Sequence, residues 1–218
     1  MRLFFKTLFL SGALCLTAVS LDTITGVGTA MAIEKVKYEV LEKHGKYQLR
    51  QYADHIVAQT FVEGSFRDVG NDGFRILAGY IFGKNKRREK IEMTAPVSQE
   101  ARSEKIEMTA PVNQQAEGDR WRITFVMPSR YTMDTLPEPI DERVQLKRVP
   151  GQLTAALKYS GSWSRKRYER KKARLESIIA AQGLIPVGEP IFARYNPPFM
   201  PWFLRRNEVL IPVQSVSG

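Results

Sequence analysis

Few side chains in this 218-residue chain can serve as nucleophile, base or metal ligand. Its histidines are His44 and His55, and its one cysteine, Cys15, lies in the apolar run Leu8–Leu21. Beyond that run there is no thiolate ligand, no disulfide framework and no cysteine nucleophile. Two histidines exclude most multi-histidine metal sites. No G-x-S-x-G stretch is present to start a serine triad. Carboxylates remain. Glu92 and Glu107 stand at equivalent places in a peptide that occurs twice, EKIEMTAPV at Glu89–Val97 and again at Glu104–Val112. Either could act as general acid or base in a cleft, and Glu208 is a third carboxylate placed to be buried.

Binding chemistry is better represented. The run Asn196–Asn207 reads NPPFMPWFLRRN, and it places Phe199, Met200, Trp202, Phe203 and Leu204 beside Arg205 and Arg206. So many large apolar side chains in a proline-rich connection are costly to expose without a core or a ligand to cover them. They pack or they bind, and the sequence leaves both open. A second apolar group falls at helical spacing, Phe66, Val69, Gly73, Phe74, Leu77 and Ile81, with Arg75 beside the stripe. Such a stripe is ordinarily core.

These residues must be positioned by ordered elements. Tyr47–Val62 reads as two extended pieces broken near Ala53-Asp54-His55, and Ser65 is a candidate N-cap for the helix that ends at Gly83. Arg120–Pro128 alternates, with Trp121, Ile123, Phe125 and Met127 on one face. Val144–Val149 and Leu153–Tyr159 are further strands, and a second helix spans about Ser164 to Gln182, stopped by Gly183. Ile191–Tyr195 and Glu208–Val213 complete the extended segments. Ala58–Phe66 (AQTFVEGSF) aligns with Ala155–Trp163 (AALKYSGSW) at an offset of 97 residues. Both stretches run from a strand through Gly-Ser-aromatic into a helix. The predicted fold is therefore α+β, built from two pseudo-symmetric β-α-β-β halves. The duplicated nonapeptide has only two copies and lies within one half, so it is not the architectural repeat. Its second copy, Lys105–Val112, is expected in the sheet, with the first copy a hairpin partner or an excursion.

The first thirty-two residues read as a cleavable export signal. Arg2 and Lys6 precede the apolar run, and Ala30-Met31-Ala32 supplies the small-x-small pattern. The run is shorter than the ~20 residues of a spanning helix, so an N-terminal anchor is the weaker reading. Leu14 before Cys15 does not suit a lipoprotein site. Cleavage leaves one domain, Ile33–Gly218, in the periplasm or outside the cell. The net charge of +10 favours anionic partners. Export makes nucleic acid an unexpected one. Seven cations in Arg165–Arg174 (RKRYERKKAR) form a solvated helix face or a contact with an anionic membrane surface.

Four stretches together resemble the SOUL family of haem-binding proteins. They are Tyr47-Gln48-Leu49-Arg50-Gln51-Tyr52, Phe74–Asn85 (FRILAGYIFGKN), Lys105–Val112 (KIEMTAPV) and Ala193–Val213 (ARYNPPFMPWFLRRNEVLIPV). The similarity runs from about Val36 to Val213. It implies a barrel-like antiparallel sheet with two helices, and haem or another tetrapyrrole bound non-covalently in an apolar cleft. Carried onto this chain, the expected site combines Phe74, Arg75, Leu77, Ala78 and Ile81 of the first helix with Met108. The loop adds Phe199, Met200, Trp202, Phe203 and Arg205, the arginines suiting propionates. Some members carry a histidine between the Arg and Tyr of the opening motif. Here that position is Gln51, so His55 is the remaining histidine candidate for iron, with Met93, Met108 and Met200 as soft alternatives. Binding without a protein ligand to the iron is the expected mode. A carrier or buffer is the leading function. The alternative is a module like the effector-binding relatives of this fold, binding or hydrolysing another flat hydrophobic molecule. No catalytic residue is assigned.

Overall fold

The alternating segments form strands and the 3.6-periodic segments form helices, as seen in a computed structural model that describes residues 34–87 and 103–215. In chain order the elements are β1 (Tyr38–His44), β2 (Tyr47–Tyr52), β3 (His55–Val62), α1 (Val69–Ile81) and β4 (Asn85–Lys86). Next come β5 (Val112–Glu117), β6 (Arg120–Val126), β7 (Glu138–Pro139), β8 (Gln145–Val149) and β9 (Leu153–Ser160). The chain continues through α2 (Arg165–Ala181), β10 (Leu184–Pro186), β11 (Ile191–Arg194), a 3-10 turn (Trp202–Leu204) and β12 (Arg206–Ser215). The export-signal segment, the first nonapeptide copy and Met93 lie outside the described residues.

Ten strands form one antiparallel sheet in the order β1-β2-β9-β12-β11-β5-β6-β3-β8, with β10 also on β12. The fold is α+β with a barrel-like sheet that does not close. Each half lends the other an outer strand: β2 pairs with β9, and β8 pairs with β3. The registers are equivalent. Leu49 faces Ala155 and Leu146 faces Ala58, and Leu146 lies as far beyond Leu49 as Ala155 lies beyond Ala58. The halves meet at β5 and β11, where Gln114 faces Phe192 and Val112 faces Arg194.

Both helices cover one face of the sheet. Ile123, Gln114 and Phe192 are successive cross-strand neighbours and so share a face. Ile123 belongs to the core under α1 with Leu77, Ile81 and Phe125. Phe192 belongs to the core under α2 with Leu175, Ile179 and Val209. Trp121 packs against both cores. Each helix is entered from a glycine with positive φ, +135° at Gly64 and +130° at Gly161. This conformation suits glycine and explains why the Gly-Ser-aromatic junction recurs. Ser164 then caps α2 by accepting from the Arg167 N–H. Ser65 acts earlier than expected. Its Oγ accepts from the Asp68 N–H at 3.3 Å and closes a turn ahead of α1 instead of capping the helix itself.

One expectation needs correction. Lys105–Thr109 is not a strand: Ala110 makes an isolated bridge to Lys35, and regular pairing begins only at Val112. The segment is held otherwise. The Ile106 N–H bonds the Ile81 carbonyl, Ile106 fills the core under α1, and the Thr109 hydroxyl bonds the Val126 carbonyl. Its alternation of Ile106, Met108 and Ala110 thus does not track one sheet face, and Met108 points outward. β5 itself was not foreseen, because VNQQAE lacks the apolar alternation of a half-buried strand. Its neighbours on both sides, β6 and β11, supply the pairing that its side chains do not advertise.

Candidate ligand-binding site

The two Gly-Ser-aromatic junctions converge. Gly64–Arg67 before α1 and Ser162–Arg165 entering α2 face each other across β5 and β11, and between them lies a cavity of about 730 Å³. Its walls are aromatic: Phe66, Trp121, Trp163 and Phe192. Phe66 stacks on Phe192 with centroids 5.6 Å apart at 14°, and it meets Trp121 edge-on at 5.5 Å. The Trp163 indole is held in place by its N–H, which donates to Asn207 Oδ1 at 2.9 Å.

The charge around these walls is of one sign. Arg67, Arg165, Arg194 and Arg205 line the cavity, and among the described residues lining it there is no Asp or Glu. Arg205 lies with its guanidinium 4.4 Å from the Trp163 centroid, and it donates to the carbonyls of Met200 and Pro198. Arg194 extends from β11 on the same face as Phe192 and is only 8% exposed. Its guanidinium lies 5.1 Å from the Trp163 centroid and 5.7 Å from that of Phe192. No carboxylate pairs with it among the described residues, and its Nε has no hydrogen-bond partner. Burial therefore lowers its pKa to about 10. Gly70 of α1 makes room for it, because a Cβ there would collide with the guanidinium. Beside it the buried Gln114 amide donates to the Phe66 carbonyl at 3.0 Å, while its Oε1 is unpartnered. The α2 N-terminus adds its partial positive charge, with no acidic residue in the first turn.

The residues expected from the sequence are dispersed around this cavity. Arg205 lines it, as does Pro198 from the same loop. The loop's apolar side chains turn outward, with Phe199 85% exposed and Trp202 and Phe203 packed edge-on against each other. Met200 is half-buried. On α1, Leu77 and Ile81 are core, Ala78 is buried, and Phe74 meets Phe125 edge-on at 5.3 Å. Arg75 is exposed and pairs with Asp72 one turn away. These α1 residues and Met108 do not line the aromatic cavity.

The candidate metal ligands lie elsewhere too. His55 is half-buried at the start of β3, and its Nδ1 bonds the Ala53 carbonyl at 2.9 Å. It borders a separate cleft with Lys35 and Arg148. His44 lies over the Tyr47 ring at the sheet edge, and Gln51 is exposed. The described residues include no group of three or more His, Cys, Asp or Glu that could hold a metal ion. Of the candidate carboxylates, Glu92 lies outside the described residues, and Glu107 pairs with Arg130 at the surface. Glu208, fully buried on the sheet face away from the helices, accepts from Arg50, Arg206 and the Tyr195 hydroxyl. Burial alone would raise its pKa, but Arg50 and Arg206 hold it below the ordinary value. On the basic face of α2, Arg165, Lys166, Arg170 and Arg174 are exposed, and Lys172 pairs with Glu169.

Phe66, Trp163, Phe192, Arg194 and Gln114 were not anticipated as site residues. The signal for the first two was present, since they end the two copies of the Gly-Ser-aromatic repeat. It pointed to architecture, and only the meeting of the two halves turns it into a pair of walls.

The SOUL heme-binding protein family model matches residues 33–212. Heme-binding protein 2 of Mus musculus is 25% identical over 184 residues, covering 80% of this chain and 85% of the mouse protein. The human Heme-binding protein 2 is 26% identical over 174 residues, covering 75% and 80%. Among solved structures, an uncharacterized conserved protein from Listeria innocua superposes with a TM-score of 0.51 at 12% identity, covering 78% of this chain and 92% of that one. That likeness shows the fold. The chain belongs to the SOUL heme-binding protein family, and haem binding in general is the activity that this membership supports.

Proposed function

We propose that the protein binds haem or a related tetrapyrrole non-covalently in the cavity between the two helix entrances, as a carrier or buffer and not as a catalyst. The observation that carries this reading is the lining of the cavity: among the described residues, four aromatic rings and four arginines without a carboxylate. A tetrapyrrole is a flat apolar disc with two carboxylates. Aromatic walls match its faces, and guanidinium forks match its propionates. The volume of about 730 Å³ falls in the ordinary range for small-molecule sites. The ring and its carboxylates, not its iron, would then provide the hold, since the described cavity walls carry no His, Met or Cys. Glu107 and Glu208 are both in ion pairs and neither lines the cavity, which is why a binding role is preferred to hydrolysis. Export by the first thirty-two residues is part of the proposal. A hemin titration of the purified protein tests it. A saturable Soret shift, with parallel quenching of tryptophan emission from Trp121 and Trp163, is expected. Absence of a saturable shift overturns the reading.

A further inference from the structure

We infer that Arg194 is the buried seat for an anionic group of the ligand, so that a planar aromatic acid enters with its carboxylate edge leading. This rests on the cavity assigned above and specifies how it is occupied. A ligand with its apolar edge leading would leave its carboxylates to the exposed Arg67 and Arg165 at the mouth. The interior argues for the opposite orientation. Arg194 is more than nine-tenths buried, lines the cavity and has no carboxylate partner among the described residues. An unpaired buried cation is costly unless something neutralises it. The N-terminus of α2, which favours negative charge, opens on the same cavity. The glycine at position 70 opens the space the guanidinium occupies, so α1 accommodates the cation. The aromatic rings Trp163 and Phe192 on which the guanidinium lies hold it without neutralising it. An arriving carboxylate would supply the missing anion and could accept from both arms of the fork.

The test compares acid with ester and needs no iron. Tryptophan quenching of the full chain is followed with protoporphyrin IX, with its dimethyl ester and with 1-pyrenebutyrate. The diacid is expected to bind at least about tenfold more tightly than the diester. Arg194→Met should bring the diacid down to the affinity of the ester and leave the ester within about twofold, while Arg194→Lys restores part of the difference. Near-UV circular dichroism shows whether each variant is folded, and Arg194→Lys, which keeps the charge but not the fork, carries the comparison where Arg194→Met does not fold. Equal binding of acid and ester overturns the inference, as does an Arg194→Met loss that is the same for both. Should neither porphyrin bind, the tetrapyrrole reading falls. Pyrenebutyrate then decides the inference: binding that Arg194→Met abolishes upholds it, and binding that ignores the substitution, or no binding, overturns it.

Discussion

Two arginines are buried on opposite faces of the same sheet, and their surroundings are opposite in kind. Arg50 of β2, 2% exposed, makes a two-pronged contact to Glu208 at 2.7 and 3.1 Å and donates to Tyr52 and Gln48 as well. Glu208 is also bonded by Arg206 and Tyr195, so every charge in that cluster is answered within the chain. Among the described residues, Arg194 of β11 has aromatic rings and no acid beside it. A protein interior tolerates a cation when it is paired, and removing the partner is what makes it costly. The first face is therefore a finished structural knot. The second is poised for a partner that comes from outside.

The comparison can be broken at four points. The largest effect is expected at the finished pair. Glu208→Gln leaves Arg50 and Arg206 without their anion and should cost about 3–5 kcal/mol, read as a lower urea midpoint at pH 7. The sign of its pH dependence follows from the lowered Glu208 pKa. The stabilisation is complete above the ordinary value of 4.5 and fades as pH falls through the lower folded value. The wild-type protein should thus lose stability on acidification, and the variant should lose less over the same window. At the unfinished site the stability effect reverses. Arg194→Met removes an unanswered charge and should raise the ligand-free stability by about 1 kcal/mol, a few degrees in Tm by calorimetry, while the ligand-induced rise in Tm shrinks. A smaller effect belongs to Gly70→Ala, whose Cβ displaces the guanidinium. Affinity for an aromatic acid should drop about threefold, partly masked in stability by the better helix propensity of alanine, about 1 kcal/mol. The smallest belongs to residues off the cavity. Arg75→Gln and His55→Ala should leave the hemin titration curve and the Soret position unchanged.

The same contrast runs between the two halves of the chain. Their registers coincide across β2–β9 and β8–β3, and both helix entrances use a positive-φ glycine followed by serine and an aromatic residue. Yet the β5–β6 hairpin turns through Gly118 and Asp119, whereas its counterpart β11–β12 carries the whole Pro-rich loop from Tyr195 to Arg205. Arg194, at the root of that loop, is where the second half departs from plain packing. Repetition built the scaffold, and departures from repetition furnish the site.

Much of this was readable in the sequence because it is local. Period-two and period-3.6 patterns mark β3, α1, β6, β9 and α2, since burial of one face leaves a one-dimensional trace. The Gly-Ser-aromatic junctions at Gly64 and Gly161 are legible because a positive φ restricts residue choice, and they revealed the two-fold plan. Strand β5 was hidden because its order comes from two neighbours and not from its own side chains. The site was hidden for a related reason. Nothing about Leu77 and Ile81 in a helical stripe separates core from cleft, and nothing about Arg194 in Ala-Arg-Tyr foretells burial without a partner. Composition and local pattern determined a basic α+β chain of two matched halves and pointed to a family. Which aromatic rings face one another, and which cation is left unanswered between them, was decided only when β5 met β11. Pairing and desolvation depend on residues far apart in the chain, and no local pattern records them.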